Sequence, residues 1–279
     1  MDACIRNNVK VTGKGKQTMV LVHGFGCDQN VWRYITAGLL ANYRLVLIDQ
    51  VGVGNSALAA YDSDKYATLH GYAADIVEVC HSLALQDVIL VGHSVGAMIS
   101  LLSTIQEPEL FSKLILIGPS PCYINDHDYI GGFEQADIKA ILAMMNKDFR
   151  SWANAFAPLI MGNPECPSLA QELIDSFCHA DSAIAKEFAR VMFLSDNRQD
   201  LPKVITKTLI LQCSEDIIAP AEVGAFMHQA IPDSTLITLR ATGHCPHLSA
   251  PIETLAAIAT FLHQAGPVEN HASAVAGIA

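Results

Sequence analysis

Four runs made wholly of apolar residues recur along the first half of this chain: Met19–Val22, Leu45–Ile48, Val88–Val91 and Leu114–Ile117. A strand that is apolar on both faces must be covered on both, and such strands belong to parallel sheets sandwiched between helices. The stretches between the runs supply the helices. Residues 28–40 keep a helical period, with Asp28 placed to cap its start; residues 68–84 repeat it, and Val95 to Gln106 does so again before Pro108. The rhythm returns at Leu209–Leu211 and Leu236–Leu239, with helical stretches near 221–230 and 252–264. These patterns predict an α/β fold, with a mostly parallel sheet and helices on both faces.

Between Ile117 and Thr208 the alternation stops and only helical periods remain. Ile138, Ile141, Leu142 and Met145 share one face; Leu169, Leu173 and Phe177 share another, with Ser168 as the expected N-cap; Ile184, Phe188 and Val191 follow Asp181. An all-helical insertion inside a βα alternation is how a lid is made. The expected division is a core of residues 1–118 and 207–265, a lid of residues 119–206, and a frayed tail of small, aperiodic residues from 266 to 279.

A chain of 279 residues, 51% hydrophobic and 16% charged, can bury a large core and is not a disordered segment. Seventeen Lys and Arg against 28 Asp and Glu leave a net charge of −11, which disfavours nucleic acid and anionic membrane surfaces as partners. No apolar run approaches the ~18 residues needed to cross a bilayer, and Met1–Arg6 has neither the basic nor the apolar region of a signal peptide. The eight cysteines include no Cys-x-x-Cys pair. They read as free thiols in a reducing, cytoplasmic setting.

Chemistry concentrates at Gly92-His93-Ser94-Val95-Gly96, where a strand ends and a helix begins. That is the context of a nucleophile elbow, whose glycines let a tight turn present a serine hydroxyl at the sheet edge. A serine hydroxyl needs a base, and the base an orienting acid. Asp216 and His244 both follow predicted strands, at the carboxyl ends where open α/β sheets build sites, and in the order serine, acid, histidine. Glu215 competes as the acid, but Asp216 is better placed to turn inward; His247 competes as the base, but lies further into its loop. The oxyanion needs two backbone donors. Val95, after the nucleophile, supplies one, and Phe25 in His23-Gly24-Phe25-Gly26 supplies the other. A second glycine-rich turn, Asp49–Ser56, lacks the third glycine and helix start of a dinucleotide site and reads as structural. His244, Cys245 and His247 have no further ligands at zinc-like spacing, so neither metal nor cofactor is expected.

Longer segments carry a resemblance: His23-Gly24-Phe25-Gly26-Cys27-Asp28-Gln29, Gly92 to Ala97, Ser120-Pro121-Cys122-Tyr123-Ile124-Asn125-Asp126, Gly131-Gly132-Phe133-Glu134, Leu211-Gln212-Cys213 and Gly243-His244-Cys245-Pro246-His247. Across about residues 5 to 264 the chain resembles the α/β-hydrolases of RsbQ type, bacterial energy-stress regulators related to the plant karrikin and strigolactone receptors. The resemblance implies a Ser94, Asp216, His244 triad beneath a four-helix lid. It also implies a small apolar cavity lined by Phe25, His93, Phe133, Trp152, Phe156 and Phe193. It implies hydrolysis of a small hydrophobic ester or lactone, or ligand sensing that retains the same triad, and in bacteria a PAS-domain phosphatase as partner. The segment Gly162–Pro167 departs from the family pattern, and so does the run beyond residue 265.

Overall fold

The computed structural model describes residues 1–263; the tail expected at 266–279 lies outside the described residues. Seven strands form one sheet: β1 (Lys10–Thr12), β2 (Gln17–Val22), β3 (Tyr43–Leu47), β4 (Val88–His93), β5 (Phe111–Ile117), β6 (Thr208–Glu215) and β7 (Ser234–Thr242). Their spatial order is β1-β3-β2-β4-β5-β6-β7, every pair parallel except β1 against β3. β1 was not legible from apolar runs: its three residues are all exposed, and it exists by pairing Lys10, Val11 and Thr12 with Leu47, Val46 and Leu45.

The helices are α1 (Ala3–Arg6), α2 (Arg33–Leu39), α3 (Leu69–Ser82), α4 (Val95–Gln106), α5 (Gln135–Lys147), α6 (Phe149–Met161), α7 (Pro167–His179), α8 (Ser182–Leu194), α9 (Ala221–Ala230), α10 (Pro246–Ser249) and α11 (Pro251–His263). The central strand β4 is buried at every position. α3 packs on α4 and α2 on α11, covering the sheet. The helix expected over 28–40 is split. Asp28 caps a short 3₁₀ turn, Gln29–Trp32, before α2 begins. α7 also starts earlier than expected. Pro167, whose ring suits a first helical position, opens it, and Ser168 lies inside the first turn instead of capping it.

Residues between β5 and β6 carry α5 to α8 and no named strand. α5 begins with a capping box between Glu134 and Asp137, α6 with Asp148 accepting from the Ser151 N–H, and α8 with Asp181 accepting from Ala183 and Ile184. α7 is tied to α2 and to the loop after β2. Arg33 of α2 makes a two-pronged pair with Glu172, and the Ser176 hydroxyl donates to the Gly26 carbonyl at 2.7 Å. No described helix is long and apolar enough to cross a membrane.

Candidate active site

Because β2 and β4 to β7 run parallel, the segments after them emerge at one edge of the sheet. There the structure brings Ser94, His244 and Asp216 together. Ser94 sits between β4 and α4 with φ 56° and ψ −127°, a conformation few non-glycine residues adopt. The turn holds it there: the Ser94 N–H donates to the Ile117 carbonyl at 2.9 Å. Its flanking glycines are required by space, since a Cβ on Gly96 would lie 2.3 Å from the His23 carbonyl oxygen and one on Gly92 2.4 Å from that of Gly96.

The Ser94 hydroxyl and His244 Nε2 are 2.7 Å apart, and His244 Nδ1 is 2.7 Å from Asp216 Oδ2. Asp216 Oδ1 accepts the N–H groups of Ile218 and Ala219 at 2.8 and 3.2 Å, so the carboxylate is aimed by its own loop. This requires His244 Nδ1 to carry the proton and leaves Nε2 bare to accept from Ser94. All three residues are buried. Glu215 is exposed and makes no such contact. His247 is buried in α10, its ring 4.9 Å from that of Trp32, and neither of its nitrogens has a hydrogen-bond partner.

The loop after β2 is shaped by His23. Its Nδ1–H donates to the Gly24 carbonyl at 2.8 Å, its Nε2 accepts the Gln50 N–H, and the Gln50 side chain returns to the His23 carbonyl. A Cβ on Gly24 would lie 3.1 Å from Ser94 Cβ, so this loop runs directly against the serine. Among the described residues neither the Phe25 N–H nor that of Val95, the first residue of α4, donates to a protein acceptor.

Above Ser94 lies a cavity of about 40 Å³ bordered almost wholly by apolar atoms. Of the residues expected to line it, Phe25, His93, Trp152 and Phe193 do so. Phe133 and Phe156 do not. Phe156 stacks on Trp152, and Phe133 meets Phe193 edge-on, so each backs a lining ring. Further apolar wall comes from Leu173 and Phe177 of α7, Ile160 of α6, Met192 of α8 and Ile218. Leu173 and Phe177 share a helical face in the sequence, but periodicity does not say what the face covers. Tyr123, fully buried, packs edge-on against Phe193; its hydroxyl has no hydrogen-bond partner, and burial pushes its phenol upward.

Cys27 and Cys245 border the same cavity. Burial pushes Cys27 up to about 12 and Cys245 well above the ordinary thiol range, so both remain protonated thiols and poor nucleophiles. Three further imidazoles of this region are shifted the other way. Burial lowers His23 and His93 and brings His247 down to about 3, which keeps all three neutral beside His244. Among the described residues, no three His, Cys, Asp or Glu side chains converge as metal ligands.

A strained serine elbow, a serine–histidine–aspartate chain and a seven-stranded sheet are accompanied by a sequence match. The profile described as "Alpha/beta hydrolase family" matches residues 19–258. The chain belongs to the α/β-hydrolase family. It is 39% identical to the strigolactone esterase D14 of Arabidopsis thaliana, over 93% of this chain and 96% of that one. It is 36% identical to the karrikin insensitive 2 receptor CA of Petunia hybrida, over 92% of this chain and 96% of the receptor. Among solved structures, a hydrolase from Oleispira antarctica superposes with a TM-score of 0.92 at 38% identity, covering 95% of this chain and 97% of that one. This α/β-hydrolase thus has both an esterase and a receptor among its relatives.

Proposed function

We propose that the chain hydrolyses small hydrophobic esters or lactones through Ser94, His244 and Asp216. The observation that carries this reading is the unbroken chain from Asp216 Oδ2 to His244 to Ser94 Oγ, two contacts of 2.7 Å, at the floor of an apolar cavity. His244 Nε2 takes the serine proton as Oγ attacks the substrate carbonyl, and Asp216 stabilises the imidazolium and holds its tautomer. The oxyanion formed at the carbonyl is received by the free N–H groups of Phe25 and Val95; one such donor is worth about 3 to 4 kcal/mol. His244 then gives its proton to the leaving alkoxide, which stays tethered when the substrate is a lactone. Water, deprotonated by the same nitrogen, attacks the acyl-enzyme, releasing the carboxylic acid and restoring Ser94.

The apolar walls favour an uncharged acyl group, and the tight space a compact one. In this reading residues 119–206 serve as a lid over a core of residues 1–118 and 207–265. The reading is tested with small aryl esters, wild type beside Ser94→Ala: the variant is expected to lose hydrolysis while unfolding at the same temperature. Retained activity above a few per cent would remove Ser94 from its role.

A second reading is ligand sensing of RsbQ type, in which turnover is slow and a protein partner such as a PAS-domain phosphatase reads the lid. Two observations favour it. A receptor is among the relatives, and the N–H of His244 donates at 2.8 Å to the carbonyl of Ile160 in α6, so the base and the insertion share a bond. A time course separates the two readings: steady turnover supports a metabolic esterase, and a single burst followed by near stasis supports sensing. The eight unpaired cysteines fit a reducing, cytoplasmic setting for either role.

A further inference from the structure

Resting on His244 as the general base, we propose that His93 is a positioning residue that fixes the backbone on which that base rides. The His93 ring is buried, and its Nε2 lies 2.8 Å from the carbonyl oxygen of His244. A carbonyl only accepts, so Nε2 carries the proton and Nδ1 is bare. Nδ1 has no partner and faces the backbone of Gly24, where a Cβ would come within 2.6 Å of it. A second proton there would have no acceptor, and burial holds this imidazole well below its ordinary range. The ring cannot readily turn, because His247 packs against it with centroids 4.4 Å apart.

His244 follows Gly243, whose φ of 78° marks a bend that glycine accommodates. Both peptide groups of the base are therefore held from outside its loop. Ile160 of α6 receives the N–H, and His93 of the nucleophile elbow supplies the carbonyl's donor. The residue before the serine in Gly92-His93-Ser94 thus links nucleophile, base and the glycine loop through one side chain. Without that donor the base loop is free to drift, and a displacement of about 1 Å in catalytic geometry costs about 10²-fold in rate.

The experiment compares wild type, His93→Leu and His93→Gln in two measurements. One is kcat and KM on a small aryl ester. The other, which needs no turnover, is the low-field proton resonance of His244 Nδ1–H in its bond to Asp216. The amide of Gln reaches the same carbonyl as a donor, whereas Leu fills the space without one. His93→Leu is expected to lower kcat about 100-fold with KM within about threefold of wild type and to shift or broaden the resonance, while His93→Gln recovers at least about a tenth of wild-type kcat and keeps the resonance. Equal losses in the two variants, or wild-type kcat and resonance in His93→Leu, would overturn the assignment. If wild type shows no Ser94-dependent turnover, the reading of the site as hydrolytic fails. His93 is then judged by the resonance alone: a shift confined to His93→Leu supports its role, and no shift overturns it.

Discussion

Acidification loads a proton onto an imidazole that the fold has no means of accommodating. His247 is fully buried between Trp32 and His93 with both ring nitrogens unpartnered, and burial lowers it to about 3. In the unfolded chain the same group titrates near 6.5. Between these values the unfolded state binds the proton and the folded state does not, so the stability contribution is complete above about pH 6.5 and is lost as pH falls toward about 3. The loss is ~1.4 kcal/mol per pH unit, or about 2 kcal/mol on going from pH 7 to pH 5. The perturbation that isolates it is His247→Phe, which keeps a ring against Trp32 and removes the titration. Urea unfolding of both proteins at pH 7 and pH 5 gives a double difference in which carboxylate effects common to both cancel. Wild type is expected to lose about 2 kcal/mol more than the variant over that interval. Equal losses would refute the claim that His247 remains neutral in the folded protein.

Asp216→Asn leaves the geometry nearly intact but favours the wrong tautomer of His244; a loss of roughly 10⁴ in kcat is expected, the size such a substitution has in serine-protease triads. Glu215→Gln, at an exposed position, is expected to change kcat by less than about threefold; if it is the more damaging of the two in steady-state assays, the acid is assigned one residue too far along. Gly26→Ala places a Cβ 1.9 Å from the Phe177 ring at a φ of 67°. That substitution should cost about 1 to 3 kcal/mol in denaturant unfolding and raise KM by moving Phe177 in the cavity wall; an unchanged midpoint would contradict the packing described.

The sheet was legible because its central strands are buried on both faces, so their sequences read as continuous apolar runs. β1 was not, since Lys10–Thr12 is an exposed edge whose pairing is decided by β3 and not by its own residues. The α4 boundaries followed from the elbow and Pro108, whereas the start of α7 depended on Pro167 taking the first helical position from Ser168. That Ser94, Asp216 and His244 come within hydrogen-bond reach of one another could be anticipated from the segments after strands, because parallel strands deliver those segments to one edge. The cavity could not be read residue by residue. Phe156 and Trp152 are both aromatic residues of α6, yet only Trp152 reaches the space, while Leu173 and Phe177 enter from a segment whose period shows a face without its neighbour. The bond from His93 to the His244 carbonyl joins residues 151 positions apart and has no local signature.

A covalent role for Ser94 can be read out by mixing the protein with a small aryl acetate, quenching in acid within the first turnover, and mapping the acetyl group by peptide mass spectrometry. One acetyl per chain is expected, on Ser94, absent in Ser94→Ala and accumulating more slowly in Asp216→Asn. Hydrolysis of the ester with no acetyl on Ser94, or acetyl on Cys27 or Cys245 instead, would contradict that role.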